Sequence, residues 1–233
     1  MASRDASATV PVKETSPPTE YREIDRWDGG VGWVAHPDES MQRASHALAV
    51  DDGVWLVDPL DAPGIDDLLA ELGDVEGVVV LLDRHVRDAE AFARRYDVPL
   101  YLPTWLRRSP SEVAVRRFET SLADTGFRAL RLFDNPAWQE AALYDEASGT
   151  LVVPESVGTA DYYRTARERL GVHPAIRLLP PDELRGLTPR RILVSHGAGV
   201  FDDAPAALAD ALDGSRRRYP ALLAATVRRF API

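Results

Sequence analysis

Val78-Val79-Val80-Leu81-Leu82-Asp83-Arg84-His85-Val86-Arg87-Asp88 is the stretch on which the reading of this chain turns. Five aliphatic residues in a row, led by β-branched valines, predict a buried strand. The strand runs directly into acid, guanidinium and imidazole. Asp88 then opens a predicted helix in which Ala89, Phe92, Ala93 and Tyr96 share a face. Three other apolar runs end in the same way: Val54-Trp55-Leu56-Val57 before Asp58, Leu151-Val152-Val153 before Pro154-Glu155, and Ile192-Leu193-Val194 before Ser195-His196. Ligands in open α/β sheets collect beyond the carboxyl ends of strands. Four strand ends bearing carboxylates and imidazoles could therefore converge on one polar site.

Composition narrows the possibilities. The chain has 233 residues, 45% hydrophobic and 27% charged, which suits one large domain or two small ones. A net charge of −10 disfavours a nucleic-acid partner, because phosphate binding rests on Lys and Arg. Lys13 is the sole lysine, and acidic doublets occur at Asp51-Asp52, Asp66-Asp67 and Asp202-Asp203. This balance suits either a salt-rich source, where screening favours acidic surfaces, or a GC-rich genome that favours Arg codons. Stability that fails to rise in molar salt would sink the first. There is no cysteine, which excludes disulfides, thiolate metal sites and a Cys nucleophile. No run approaches the ~18 apolar residues of a membrane span, and the N-terminus lacks the apolar core of a signal peptide. The expectation is a cytoplasmic protein with no membrane partner and a small-molecule ligand or substrate.

Along the chain, residues 1 to about 20 lack periodicity and read as a disordered leader, leaving 21–233 as a single domain. Residues 21–36 suggest a strand pair with a tight turn at Gly29-Gly30, and Asp51-Asp52-Gly53 joins 46–50 to 54–57 as a hairpin. A helix is expected over Asp61–Gly73, with Ile65, Leu68, Leu69 and Leu72 on one face. Strands follow at 98–102, 127–133, 140–144, 150–153 and 191–194. Residues 104–121 suggest a helical insert or lid, 160–170 an Arg-rich helix, and 171–190 a loop. Helices are expected at 204–213 and 219–230. The two halves echo each other: turn, strand and acid at 51–58 and 147–155, then a strand and a His-bearing loop at 78–85 and 191–196.

In order and spacing these motifs resemble the metallo-β-lactamase superfamily over about residues 21–215. The resemblance rests on Leu56-Val57-Asp58, the strand entering Asp83-Arg84-His85-Val86-Arg87-Asp88, Pro154-Glu155 and Ser195-His196-Gly197. It implies an α/β (α+β) fold, a four-layer αββα sandwich with metals at one edge of its two sheets. The family signature H-x-H-x-D-H falls on Asp83, His85, Arg87 and Asp88. A further family His falls near Asn135 and Pro136, the bridging Asp matches Glu155, and the closing His matches His196. Two of the expected imidazoles are kept and three are replaced.

On this layout Asp83, His85, Glu155 and His196 could still supply four metal ligands. The cofactor would be one divalent metal, zinc, or manganese or iron given the extra carboxylate. Arg87 places a fixed guanidinium where a second metal would sit, and could pair with Asp88 or Glu155 or hold an anionic ligand. His46, after Arg43-Ala44-Ser45, could join the site as ligand or proton carrier, or be an ordinary strand residue. Asp58 is expected to brace its loop and border the ligand pocket, and Asp88 either to cap its helix or, with His196, to move protons. His85 and Glu155 could equally be structural, held by hydrogen bonds or by an Arg. His36 and His173, each before a proline, read as loop residues; Trp105 and Trp138 read as core, or as cover for the pocket mouth. A Ser45-His196-Asp58 triad lacks the nucleophile-elbow motif. Two functions follow: a weakly active or silent relative that binds a small anionic ligand or a partner through the old pocket, and a mononuclear metal-dependent hydrolase of an ester, amide or phosphoester.

Overall fold

The computed structural model describes residues 10–51, 53–107 and 112–230, with 225–230 as backbone alone. Strands β1 (Arg22–Trp27), β2 (Gly30–Val34), β3 (Ala44–Val50), β4 (Gly53–Val57), β5 (Asp74–Val79), β6 (Leu100–Pro103) and β7 (Val115–Phe118) form a seven-stranded sheet in sequence order. The pairs are antiparallel from β1 to β4 and parallel from β4 to β7. Helices α1 (Ile65–Ala70) and α2 (Ala89–Tyr96) make the crossovers from β4 to β5 and from β5 to β6. A second sheet has β8 (Arg128–Asn135), β9 (Trp138–Asp145), β10 (Thr150–Val153) and β13 (Arg191–Val194) in the order β13-β10-β9-β8. Strands β11 (Val157–Gly158) and β12 (Gly171–Val172) form a small ribbon, and α3 (Ala204–Phe230) closes the chain.

Side-chain alternation sets the layers. Ala141, Leu143, Val152 and Leu193 of the second sheet join a core with Val31, Leu56, Val79 and Leu102 of the first and with Phe92 of α2. Their sequence neighbours Ala142, Tyr144, Leu151, Val153, Ile192 and Val194 face the other way, onto Ala204, Leu208, Ala211 and Leu212 of α3. A strand that alternates between two apolar partners is buried on both faces. The architecture is therefore αββα.

The two sheets are stitched together where the chain leaves β5 and β13, against the starts of β9 and β3. Ala141 N donates to Leu81 O at 2.8 Å, and Asp83 N donates to Gln139 O at 3.2 Å. Ala44 N donates to Ser195 O at 2.9 Å, with a bridge between Arg43 and His196. These bonds bring the loops after β4, β5, β10 and β13 to one edge.

Several expectations are corrected. Residues 160–170 form no helix beyond a single 3-10 turn at Asp161–Tyr163. The tertiary structure overrides the helical pattern: buried Arg177 takes the carbonyls of Tyr163 and Val172, and Glu168 turns inward to meet its guanidinium at 2.9 Å. In place of a helical insert at 104–121, β7 adds an edge strand whose Arg116 and Arg117 are exposed; residues 108–111 lie outside the described residues. The two helices expected after 204 are one, α3, with Pro220 on an exposed face where the carbonyl it leaves unbonded meets water. The helix expected over 61–73 shortens to α1, preceded by Gly64 at φ 89°. The stretch read as a leader is anchored from residue 11: Ser40 N donates to Pro11 O, Met41 N to Val12 O, and Glu14 N to the Glu39 carboxylate. Residues 1–9 lie outside the described residues.

Candidate metal centre

Glu155 follows β10, where Pro154 ends the strand, and its carboxylate is the hub of the site. Oε2 lies 3.0 Å from His85 Nε2 and 3.4 Å from His196 Nε2, while Oε1 lies 3.3 Å from His173 Nε2. Three of the five histidines thus surround one carboxylate. His85, Glu155 and His196 are all buried, and one ligand atom from each falls within 4.8 Å of the others.

The far nitrogen of each ring fixes its tautomer. His196 Nδ1 lies 2.9 Å from Met41 O, and a carbonyl only accepts, so Nδ1 carries the proton. His85 Nδ1 lies 3.1 Å from Asp58 Oδ2, which likewise assigns it the proton. In the neutral ring each Nε2 then turns a lone pair toward Glu155. Burial pushes His196 down from the ordinary imidazole value, against the pull of Glu155, and so disfavours the second proton that would relieve this contact. His196 Nε2 is buried with no hydrogen bond. With both rings neutral, two lone pairs and a carboxylate oxygen face one another, an arrangement that could hold a metal ion. His173 has the opposite arrangement: its Nδ1 accepts from Ala175 N at 3.2 Å, so Nε2–H points at Glu155. Burial lowers its pKa to about 4, which keeps it neutral. It steadies Oε1 and leaves Oε2 to the other two rings.

Asp58 closes β4 in a left-handed turn at φ 47°. Oδ1 accepts from Leu81 N at 3.1 Å, Oδ2 faces His85, and Ser195 Oγ donates to Oδ2 at 3.3 Å. Asp58 therefore orients His85 and ties β4 to the ends of β5 and β13, and it supports the pocket from behind. Such outer partners fix the tautomer and aim of metal-binding imidazoles. Glu140 performs the matching task for Glu155. From β9 it accepts from Glu155 N, Ser156 N, Ser156 Oγ and Trp138 Nε1, at 2.6 to 2.9 Å. Gly197, at φ 92°, lets the chain leave His196; a Cβ there would lie 2.7 Å from Ala160 N.

The other sequence candidates fall in different places. Arg87, also left-handed at φ 45°, is not paired with Asp88 or Glu155. Nη1 donates to the carbonyls of Ala44 and Asp58, and Nη2 reaches Ser195 O at 3.4 Å, so one guanidinium staples the ends of β3, β4 and β13. Asp83 is not in the trio. Its Oδ1 is buried without a hydrogen bond, 3.7 Å from Arg84 Nη1. Asp88 sits at the N-cap position of α2 without capping it; Oδ2 instead accepts from Asp61 N at 2.8 Å. His46 is fully buried outside the trio, 3.5 Å from Asp25 Oδ2. Ser45 Oγ donates to Asp58 O and accepts from Leu60 N, which makes it a loop brace.

Sequence reasoning missed His173, Glu140, Arg84 and the Tyr162-Tyr163 pair. Nothing in the local pattern marked His173. Glu140 was the better signal, an acid inside an apolar strand between Trp138 and Ala141-Ala142. Arg84 lies over the Trp138 ring at 4.2 Å, and its Nε is 3.9 Å from Glu155 Oε2, so a cation stands at the rim. Trp105 is core, while Trp138 flanks the site edge-on to His173 at 5.0 Å. Asn135, where the family's further His would fall, accepts from Ala137 N and Trp138 N and closes the β8–β9 turn.

Buried imidazole and carboxylate thus meet at one edge of both sheets of an αββα sandwich, within reach of a single ion. No protein-family model matches the sequence, and no curated protein matches it. Solved structures do. The DIM-1 metallo-β-lactamase aligns over 87% of this chain and 99% of its own, with a TM-score of 0.56 and 11% identity. The protein TTHA1623, solved in a di-iron-bound form, aligns over 73% and 94%, with a TM-score of 0.53 and 20% identity. The chemotaxis sensor ODP, solved as a peroxy diiron species, aligns over 84% and 98%, with a TM-score of 0.53 and 13% identity. The chain has the metallo-β-lactamase fold.

Proposed function

We propose that this protein is a single-metal hydrolase on the metallo-β-lactamase fold, with His85 Nε2, His196 Nε2 and Glu155 Oε2 as its ligands. One observation carries the reading: both rings have their outer nitrogen tied to an acceptor while their inner lone pairs converge on a carboxylate. Two imidazoles and one carboxylate suit Zn²⁺ or Fe²⁺. The likeness to di-iron proteins points the same way, although Arg87 and Asp88 here replace the Asp-His end of the family signature. When bound, the ion would supply Lewis acidity to an ester, amide or phosphoester. The chain's own groups do the rest. Arg84 at the rim attracts an anionic substrate. Asp83, 3.7 Å from Arg84 Nη1, holds that guanidinium at the rim. Trp138 and Tyr162 wall the pocket against water.

A second reading keeps the pocket free of metal as a binding site for a small anion or a partner. It draws on Arg84, the half-exposed cation 3.9 Å from Glu155 Oε2. Elemental analysis of protein purified without added metal separates the two. About one equivalent of metal, lost in His85→Ala and in His196→Ala but kept in His173→Ala, supports the hydrolase. Metal-free protein whose melting is unchanged by Zn²⁺, Mn²⁺ or Fe²⁺ rules it out.

A further inference from the structure

Behind the metal centre lies a separate cleft of about 540 Å³, lined by Asp25, Gln42, Thr159, Arg164, Arg169 and the Ala198–Asp202 loop, among others. Its volume is in the range of small-molecule sites. We propose that it binds a small ligand through anionic oxygens, a phosphate or a carboxylate, and that occupancy is felt at His196. The second half of this proposal rests on the metal reading above; the first does not.

The charge case begins with Arg164 and Arg169. Arg164 Nε is buried without a hydrogen bond, and the nearest carboxylate, Asp161, is 3.5 Å from Nη2. Arg169 donates to the carbonyl of Asp202 and has no carboxylate within 4.0 Å among the described residues. The Arg164 pair is long beside those of Arg26, Arg43, Arg177 and Arg218, whose nitrogens lie 2.5 to 2.9 Å from a carboxylate. Arg164, with a buried unbonded Nε and only a long ion pair to Asp161, and Arg169 both line the cleft and offer N–H donors to an oxyanion. Two acids also line the cleft: Asp202, and Asp25, both of whose oxygens accept from Gly199 N at 2.9 Å.

The coupling case is one of shared walls. Two of the lining segments, at Gln42 and at Thr159, also hold the His196 turn. Met41 O takes the His196 Nδ1 proton, and the next residue, Gln42, lines the cleft and accepts from Gly197 N at 2.9 Å. Thr159 N and Ala160 N donate to His196 O at 2.9 and 3.0 Å, and Thr159 Oγ1 donates to Ala198 O. Gln42 is held at φ 45°, a left-handed backbone that a neighbouring ligand can stabilise or release. A ligand that draws Arg164 and Gln42 together therefore acts on the segments that aim His196, with no intervening layer.

The test is calorimetric titration of metal-free full-length protein with inorganic phosphate, and separately with acetate, for wild type and Arg164→Gln/Arg169→Gln. The expected result is saturable phosphate or acetate binding that weakens at least tenfold in the double variant, whose melting temperature is unchanged. The ion that binds more tightly identifies the ligand class. No binding, or equal binding by the variant, overturns the cleft. The Zn²⁺ dissociation constant is then measured with and without saturating phosphate. A shift of fivefold or more in wild type that is smaller in the variant supports coupling, because any direct chelation is common to both. Equal shifts overturn coupling. Protein that takes up no Zn²⁺ overturns the metal reading and leaves the phosphate result standing.

Discussion

Arg87→Met tests the staple most sharply. The guanidinium makes two short hydrogen bonds, to Ala44 O and Asp58 O, and one long contact to Ser195 O at 3.4 Å. Hydrogen bonds from a charged donor contribute about 1.5–3 kcal/mol each, so the two short ones amount to roughly 3–6 kcal/mol. Part of that is offset. Burial is the largest influence on Arg87 and pushes its pKa down, against the pull of Asp58, so removing the charge relieves a desolvation cost. A net loss of about 2–4 kcal/mol is expected, read as a lower urea midpoint at unchanged m. Arg87→Lys should recover less than half, because one ammonium cannot span three strand ends. Asp58 carries both a stapled carbonyl and the carboxylate behind His85, so metal affinity should fall as well. An Arg87→Met protein with wild-type stability and wild-type metal affinity would refute the staple.

Asp58→Asn should leave the fold intact and weaken metal binding about 10–100-fold, measured by competition with a chelator, because His85 loses its anionic partner. Arg177→Met should cost about 3 kcal/mol in chemical unfolding, the low end for a broken buried pair, because Glu168 keeps only the longer contact to Arg218 at 3.6 Å and the Thr165 amide. Burial raises the Glu168 pKa, but Arg177 and the Thr165 amide outweigh it and hold the pKa below its usual 4.5. Its contribution is thus complete above pH 4.5 and lost as pH falls toward the depressed value, so Glu168→Gln should flatten the acid limb of the stability–pH curve. Pro220→Ala should restore a hydrogen bond to the Arg216 carbonyl within α3 and raise the melting temperature; a lower value would show that α3 depends on the proline.

Much of the architecture was legible because it is written in periodicity. The runs at 54–57, 150–153 and 191–194 are strands, and the run at 78–82 straddles the end of β5. Their acid- and imidazole-bearing ends lie at one edge because strand direction determines where the next loop emerges. His85, Glu155 and His196 could be read for that reason. His173 could not, since it arrives on an irregular excursion held by the Arg177–Glu168 pair, and a long-range ion pair leaves no local signature. The misread helix at 160–170 has the same origin. Asp83 and Asp88 were aligned to a motif by letter, but a carboxylate is shorter than an imidazole, and Asp83 does not reach the trio. His46 carried no sequence sign of facing Asp25.

The parallel pairing of β10 with β13, Thr150 opposite Arg191, has a kinetic consequence. Every neighbour pair in the larger sheet joins strands adjacent in the chain, so that half can zip up by short loop closures. Glu155 and His196 sit just past the two strands whose meeting encloses the whole 157–177 excursion. Refolding should therefore produce a chain with most of its secondary structure before the proposed ligand trio is assembled. Stopped-flow metal uptake that lags behind the recovery of circular dichroism would reveal that order.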